Sequence, residues 1–202
     1  MPSIYQIKPA FQNLLRPLTR KLAAMGVTAN QITNLALLLS ILTGLAVAYW
    51  STTITIFFLV PVVMLVRMGL NAIDGMLARE HNMKTALGAF LNELSDVISD
   101  AALYLPFALV IQINPALVVA VVIAAIISEM AGVVAVQVGA SRRYDGPMGK
   151  SDRAFVFGAI ALALGLDLPL GNGLNILLIG VLLLLVLTTI NRVLSALQEV
   201  KP

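Results

Sequence analysis

Asn71, Asp74, Gly75 and Ala78 stand at i, i+3, i+4 and i+7, so on a helix they share one face. Arg67 lies one turn earlier on the same stripe. Further along, Gly88, Asn92, Asp96 and Asp100 recur every fourth residue and form a second stripe. Five of the ten acidic residues, Asp74, Glu80, Glu93, Asp96 and Asp100, fall in this one stretch, among segments that are otherwise nearly pure hydrocarbon. Ionisable groups within such segments mark a functional site by default. Oxygen donors converging from two rigid helices suit a hard cation, Mg²⁺ or Mn²⁺. Gly75 and Gly88 let a phosphate approach the backbone, and Arg79 offers a planar fork to hold it. The chemistry this pattern suggests is metal-dependent phosphoryl transfer. The blander reading is polar pairing that holds helices together. Two or three residues fit that reading; a constellation with glycines on the same faces is harder to fit.

The elements that must carry these stripes are membrane helices. The chain has 202 residues, 59% hydrophobic and 11% charged, against about 25% charged in a soluble domain. The class expected is an all-α integral membrane protein. Apolar runs near the 18–20 residues that span a bilayer lie at about 33–50, 54–78, 85–111, 115–140, 153–167 and 174–191. That makes six spans, with the fifth short and starting inside the preceding polar loop. Residues 1–32 form a separate segment: Phe11, Leu14, Leu15, Leu18, Leu22 and Met25 follow helical spacing, with Arg16, Arg20 and Lys21 off that face. This reads as an amphipathic helix in the membrane interface, with a kink or start near Pro17. Residues 33–202 then form one six-helix membrane domain.

Basic residues fix the orientation. Lys8, Arg16, Arg20, Lys21, Arg79, Lys84, Arg142, Arg143, Lys150, Arg153, Arg192 and Lys201 fall in alternate connections, while 51–53, 112–114 and 168–173 hold no Lys or Arg. By the positive-inside rule both termini are cytoplasmic, and the location is the inner (cell) membrane. The chain has no cysteine, and His81 is its only histidine. That excludes disulfides, thiolate sites and multi-histidine metal sites; His81 itself reads as a solvated loop residue.

The spacing N-x2-D-G-x2-A-R-x8-G-x3-N-x3-D, from Asn71 to Asp96, resembles the signature of the CDP-alcohol phosphatidyltransferase family. Asp74, Gly75, Ala78, Arg79, Gly88 and Asp96 match; members have Asp where this chain has Asn71 and Asn92. A bacterial subgroup looks similar, including both asparagines. The segment VTANQIT, Val27 to Thr33, also resembles the family's approach to its first span. The resemblance implies transfer of a phosphatidyl group from a CDP-linked lipid, usually CDP-diacylglycerol, to an acceptor alcohol, with release of CMP. It implies that Asp96 is the general base and that Gly75, Ala78, Arg79 and Gly88 cradle the cytidine diphosphate. It implies divalent metal held by the acidic positions, here Asn71, Asp74, Asn92 and Asp96. With two of four carboxylates replaced by amides, one tightly held cation is expected, and Asp100, one turn on, restores part of the missing charge. Glu93 points away and is weaker. A homodimer is also implied, with membrane lipid as surroundings and no nucleic acid partner.

The second polar island is SRRYDGPMGKSDR, residues 141–153. Arg142, Arg143, Lys150 and Arg153 read either as a site for an acceptor or lipid phosphate or as an ordinary basic loop against anionic lipid. Related enzymes with phosphorylated acceptors use basic residues around this region. Glu129, mid-span beside Ser128 and Gly132, reads as protonated, as paired with Arg67, or as a structural hydrogen bond; Asn191 and Arg192 read as interfacial. Two other functions stay open at this point. A weak or inactive relative could bind CDP-lipid or scaffold lipid enzymes, which loss of two acidic positions favours. A small transporter would need paired broken helices, which the sequence lacks.

Overall fold

The computed structural model describes residues 4–200, with side chains from Ala10 onward. The side chain of Lys8, and Lys201, both used above for orientation, lie outside the described residues. Every regular element among the described residues is helical: α1 (Ile4–Ala24), α2 (Ala29–Tyr49), α3 (Leu59–Glu80), α4 (Ala86–Tyr104), α5 (Pro115–Gln137), α6 (Lys150–Gly165) and α7 (Gly173–Glu199). Short 3₁₀ turns, Ile54–Phe58 and Leu105–Leu109, precede α3 and follow α4.

Four helices are long and apolar enough to cross a membrane: α2, α3 with its 3₁₀ turn, α5 and α7. The other two expected spans are interrupted by what they carry. The acidic stripe dilutes α4, and Pro106 turns its end into 3₁₀, because proline cannot donate the helical hydrogen bond. Only 16 residues make up α6. The first helix runs unbroken through Pro17, so no element starts there. The last continues to Glu199, well past residue 191, and carries Arg192 with it.

Capping residues set the boundaries. Val27 N–H bonds Leu22 O at 3.0 Å, and Gly26, at φ +77°, supplies the left-handed turn that stops α1. Thr28 and Gln31 then form a reciprocal capping box: Thr28 N–H donates to Gln31 Oε1 at 2.9 Å and Gln31 N–H to Thr28 Oγ1 at 3.3 Å. Thr85 Oγ1 accepts from Gly88 N–H at 2.9 Å at the start of α4. Asp152 reaches back to Gly149 N–H at 2.9 Å at the start of α6.

The chain divides into two compact units: Met1–Leu42 with Val62–Ser99, and Thr43–Pro61 with Asp100–Pro202. In the first, Ala29, Ile32, Ile73, Met76 and Leu77 are buried together, and Leu15, Leu22 and Ala23 of α1 pack on them. The apolar face of α1 is therefore split: Leu15 and Leu22 touch protein, while Leu14, Leu18 and Met25 stay exposed. Arg16 Nη2 pairs with Glu80 Oε1 at 3.0 Å and ties α1 to the end of α3.

In the second unit, α5 and α7 pack along their lengths. On α7 the buried positions Leu174, Leu178, Val181, Leu185, Thr188, Arg192 and Ala196 recur every three or four residues, the period of one helical face. Tyr104 stacks on Phe157 at 4.0 Å between centroids, with Phe107 edge-on to Phe157. Exposed leucines on the opposite faces, such as Leu183, Leu187 and Leu194, form apolar surface far beyond the isolated residues a soluble protein shows.

Candidate active site

In the first unit the two predicted stripes face each other. Arg67, its side chain only 5% exposed, donates from Nη2 to the Asp96 carbonyl at 3.1 Å and lies 3.5 Å from Asp96 Oδ1. Asn71 Nδ2 donates to the same carboxylate oxygen at 3.4 Å. Asp96 itself keeps 28% of its side chain accessible. Asp74 is buried, and Thr33 Oγ1 donates to its Oδ2 at 2.8 Å. That hydroxyl fixes one carboxylate oxygen. Asn92 is exposed, one turn before Asp96 on α4.

Thr33 and Asn30 were not among the predicted site residues, although both belong to the segment from Val27 to Thr33. Asn30 Nδ2 lies 3.5 Å from Thr85 Oγ1. Helical spacing within α2 places Asn30 and Thr33 on one face, and that periodicity was the available signal.

The glycines separate into two kinds. A Cβ on Gly75 would sit 3.0 Å from Arg79 Nη2, and one on Gly88 would sit 2.7 Å from Asn30 Oδ1. Both neighbours are the mobile ends of side chains. A Cβ on Gly44 would instead strike the Ala102 carbonyl, and one on Gly146 would sit 2.6 Å from Thr188 Cα. Backbone cannot swing aside, so packing requires Gly44 and Gly146. Packing does not require Gly75 or Gly88. Arg79, exposed, lies along α3 over Gly75, and Ala78 packs against the buried cluster of Met76 and Leu77.

The donor set on α3 and α4 is all oxygen: two carboxylates, Asp74 and Asp96, and two amides, Asn71 and Asn92. Its charge of −2 suits one hard divalent cation that keeps part of its water. Among the described residues, no three His, Cys, Asp or Glu side chains are close enough to form a cage. The chemistry fits a single cation and offers no charge for a second.

The second unit holds the other polar cluster. Glu129, in the middle of α5, meets three guanidinium groups: Arg142 Nη2 at 3.0 Å, Arg153 Nη2 at 3.0 Å and Arg192 Nη1 at 3.3 Å. Arg153 also pairs with Asp100 Oδ2 at 3.0 Å. Side chains of Arg153 and Arg192 are 1% and 2% exposed. Arg192 further donates to the Ser128 carbonyl at 2.6 Å and to the Asp145 carbonyl at 3.3 Å. These contacts revise two expectations and give a third residue a partner. Glu129 is paired with Arg142, Arg153 and Arg192, whereas Arg67 turns to Asp96. Arg192 is buried, because a carboxylate at mid-helix draws a guanidinium inward. Asp100, expected among metal ligands, anchors Arg153 through its Oδ2.

The 141–149 loop is shaped to deliver these arginines. Gly132 leaves space on α5: a Cβ there would overlap the Arg142 guanidinium and come within 2.6 Å of the Arg143 carbonyl. Arg143 forks onto Asp145 at 2.8 and 2.9 Å and reaches Glu199 at 2.6 Å, and Ser141 also binds Glu199. The Arg143 fork holds the Asp145 carboxyl below its ordinary range. Met148 N–H donates to Thr188 Oγ1 at 2.9 Å. Lys150 opens α6.

Comparison with known proteins now bears on both clusters. Over 195 residues, 96% of each chain, the protein is 48% identical to the Inner membrane protein YnbA of Escherichia coli (strain K12). It is 30% identical over 104 residues, about half of each chain, to the archaetidylinositol phosphate synthase of Pyrococcus horikoshii. Its fold matches that of the Mycobacterium tuberculosis phosphatidylinositol phosphate synthase. The form crystallised with manganese and citrate gives a TM-score of 0.73 at 20% identity, covering 91% of this chain and 89% of that one. The form with CDP-DAG bound gives 0.67 at 22% identity, covering 91% of each. Residues 26–197 match the family model described as CDP-alcohol phosphatidyltransferase. The facing stripes, the intact spacing from Asn71 to Asp96 and this match over most of the chain agree: the protein belongs to the CDP-alcohol phosphatidyltransferase family.

Proposed function

We propose that the chain transfers a phosphatidyl group from CDP-diacylglycerol to an acceptor alcohol and releases CMP. The observation that carries this reading is the pair of unequal carboxylates. Asp74 is buried and pinned by Thr33, while Asp96 is accessible and flanked by Arg67 and Asn71. In the reaction the acceptor oxygen attacks the β-phosphorus and a new P–O bond forms. The bond from that phosphorus to the oxygen bridging to CMP breaks, and its electron pair leaves with CMP. Asp96 takes the hydroxyl proton; its accessibility suits a group that must reach a substrate.

Asp74 and Asp96, with the amide oxygens of Asn71 and Asn92, would hold one Mg²⁺ or Mn²⁺, and Asp100 is left to Arg153. Bound there, the cation would neutralise pyrophosphate charge that builds toward the leaving group. Gly75 and Gly88 admit the cytidine diphosphate close to the helix backbone, beside Ala78, and Arg79 swings off Gly75 to take a phosphate oxygen. Of the basic residues around 141–153, Lys150 at the start of α6 serves the lipid phosphate side, while Arg142 and Arg153 stay with Glu129.

The membrane arrangement proposed has six spans, adding α4 and α6 to the four apolar helices. In it, α1 lies in the interface, both termini are cytoplasmic, and a homodimer sits in the inner membrane. The test is purified protein with CDP-diacylglycerol, a panel of alcohols and Mg²⁺ or Mn²⁺. CMP release and a new phosphodiester lipid by mass spectrometry are expected, and both disappear on chelation. The amides at Asn71 and Asn92 favour one second reading, a CDP-lipid-binding scaffold. CDP-lipid binding without CMP release from any acceptor would establish it.

A further inference from the structure

The three arginines around Glu129 have the makings of an anion site, yet the chain has already filled it. A carboxylate with Arg142, Arg153 and Arg192 at 3.0, 3.0 and 3.3 Å occupies the position that a phosphate would take among three guanidinium forks. The remaining donors are directed at the chain itself. Arg142 Nη1 serves the Arg143 carbonyl, Arg153 Nη1 the Met148 carbonyl, Arg153 Nη2 also Asp100, and Arg192 the Ser128 and Asp145 carbonyls. Three guanidinium charges set against the carboxylates of Glu129 and Asp100 leave a net charge of +1. Arg143, the nearest further cation in sequence, is engaged by Asp145 and Glu199. A phosphomonoester dianion entering this cluster would meet the Glu129 carboxylate and find few N–H groups uncommitted. Like charges brought together in a desolvated cluster repel strongly.

We infer that Glu129 is a built-in anion that sets acceptor specificity: the alcohol this chain accepts carries no phosphate, and an uncharged polyol is the substrate class. This rests on the transferase reading above, and it assigns Glu129 as a specificity-determining residue for that reaction. The same carboxylate explains the depth of Arg153 and Arg192. Burying a guanidinium needs a partner at hydrogen-bonding distance, and one glutamate provides it for both.

The experiment has a catalytic and a binding arm, both on the full chain in detergent micelles. In the first, wild-type protein with CDP-diacylglycerol and Mn²⁺ is given glycerol against glycerol 3-phosphate, and inositol against inositol 1-phosphate. The uncharged member of each pair is expected to be used at least about tenfold better, and Glu129→Gln is expected to narrow or invert that ratio. In the second, inorganic phosphate is titrated while thermal unfolding is followed. Wild type should show no phosphate-dependent stabilisation, and Glu129→Gln should gain it. Wild-type preference for the phosphorylated member of either pair overturns the inference without any variant. So does phosphate stabilisation of wild type equal to that of Glu129→Gln. Should neither protein release CMP with any acceptor, the transferase reading fails, and an absence of wild-type phosphate binding would still support the internal anion.

Discussion

The chain contains two polar clusters, and they are built on opposite principles. Around Asp96, Asn71 stands at 3.4 Å and Arg67 at 3.5 Å, and 28% of the side chain is accessible. Around Glu129 three guanidinium groups close to 3.0–3.3 Å, and two of the arginines are almost wholly buried. The first cluster is open to solvent at Asp96 and Asn92. The second is self-complementary. Charged groups in an apolar chain thus divide by accessibility, open to solvent in one case and enclosed by the protein itself in the other. Glycines divide in the same way. Gly75 and Gly88 face movable side-chain ends, whereas Gly44 and Gly146 face backbone.

Substitutions at each cluster should separate the two principles. The largest effect is expected at the accessible one. Asp96→Asn keeps the shape and removes the base, and should lower CMP release by about 10²–10⁴-fold with little change in thermal unfolding. Equal loss of stability and activity would show that Asp96 belongs to the scaffold. At the enclosed cluster the order reverses. Arg153→Met leaves Glu129 and Asp100 without their shared partner, and should cost about 3–5 kcal/mol in unfolding measured in detergent. Gly132→Ala should cost less, about 1–3 kcal/mol, by pushing the Arg142 guanidinium off its seat.

Two smaller effects sharpen the contrast. Thr33→Val removes the hydroxyl from Asp74. A hydrogen bond to a charged group contributes about 1.5–3 kcal/mol, so a fall in activity of about tenfold or more is expected, visible in the same CMP assay. The weakest effect concerns the Arg143–Asp145 clasp at the exposed loop. Because Arg143 lowers the folded-state value of Asp145, this stabilisation is present above the ordinary carboxylate range. It is lost as pH falls through the lowered value. Since the clasp is partly open to solvent, added salt should reduce the pH dependence of the unfolding temperature between those limits.

Much of the first cluster was legible in the sequence, and little of the second. Local spacing places Asn71, Asp74, Gly88, Asn92 and Asp96 on two stripes, and the short 81–85 connection makes those helices neighbours. Periodicity within one helix is information a sequence carries openly. Thr33 reaches Asp74 across 41 positions, and Arg192 reaches Glu129 across 63. Such pairings depend on which helices pack, which no local pattern states. The charge rule compounded the difficulty. Arg192 reads as interfacial, and Arg142 and Arg153 as a phosphate site or a basic loop, because basic residues at the ends of spans ordinarily stay with water; Glu129 overrides that. Composition marks six apolar runs, and four of them form helices long and apolar enough to cross a membrane. Pro106 breaks the end of α4 into a 3₁₀ turn, and the polar ridge on α4 leaves it short of the apolar content of its neighbours.

The brevity of α6 has a mechanical consequence. Sixteen residues at about 1.5 Å each reach about 24 Å, while the hydrocarbon of a bilayer is about 30 Å thick. In the six-span arrangement this helix cannot match the membrane by tilting, because tilt shortens its reach further. Lipid must come to it, by local thinning on the side where α6 meets the acyl chains. Such a dimple would lower the headgroup plane toward Lys150 at the start of α6 and reduce how far a headgroup has to rise to leave its leaflet. Membrane thickness then becomes a variable on which turnover depends.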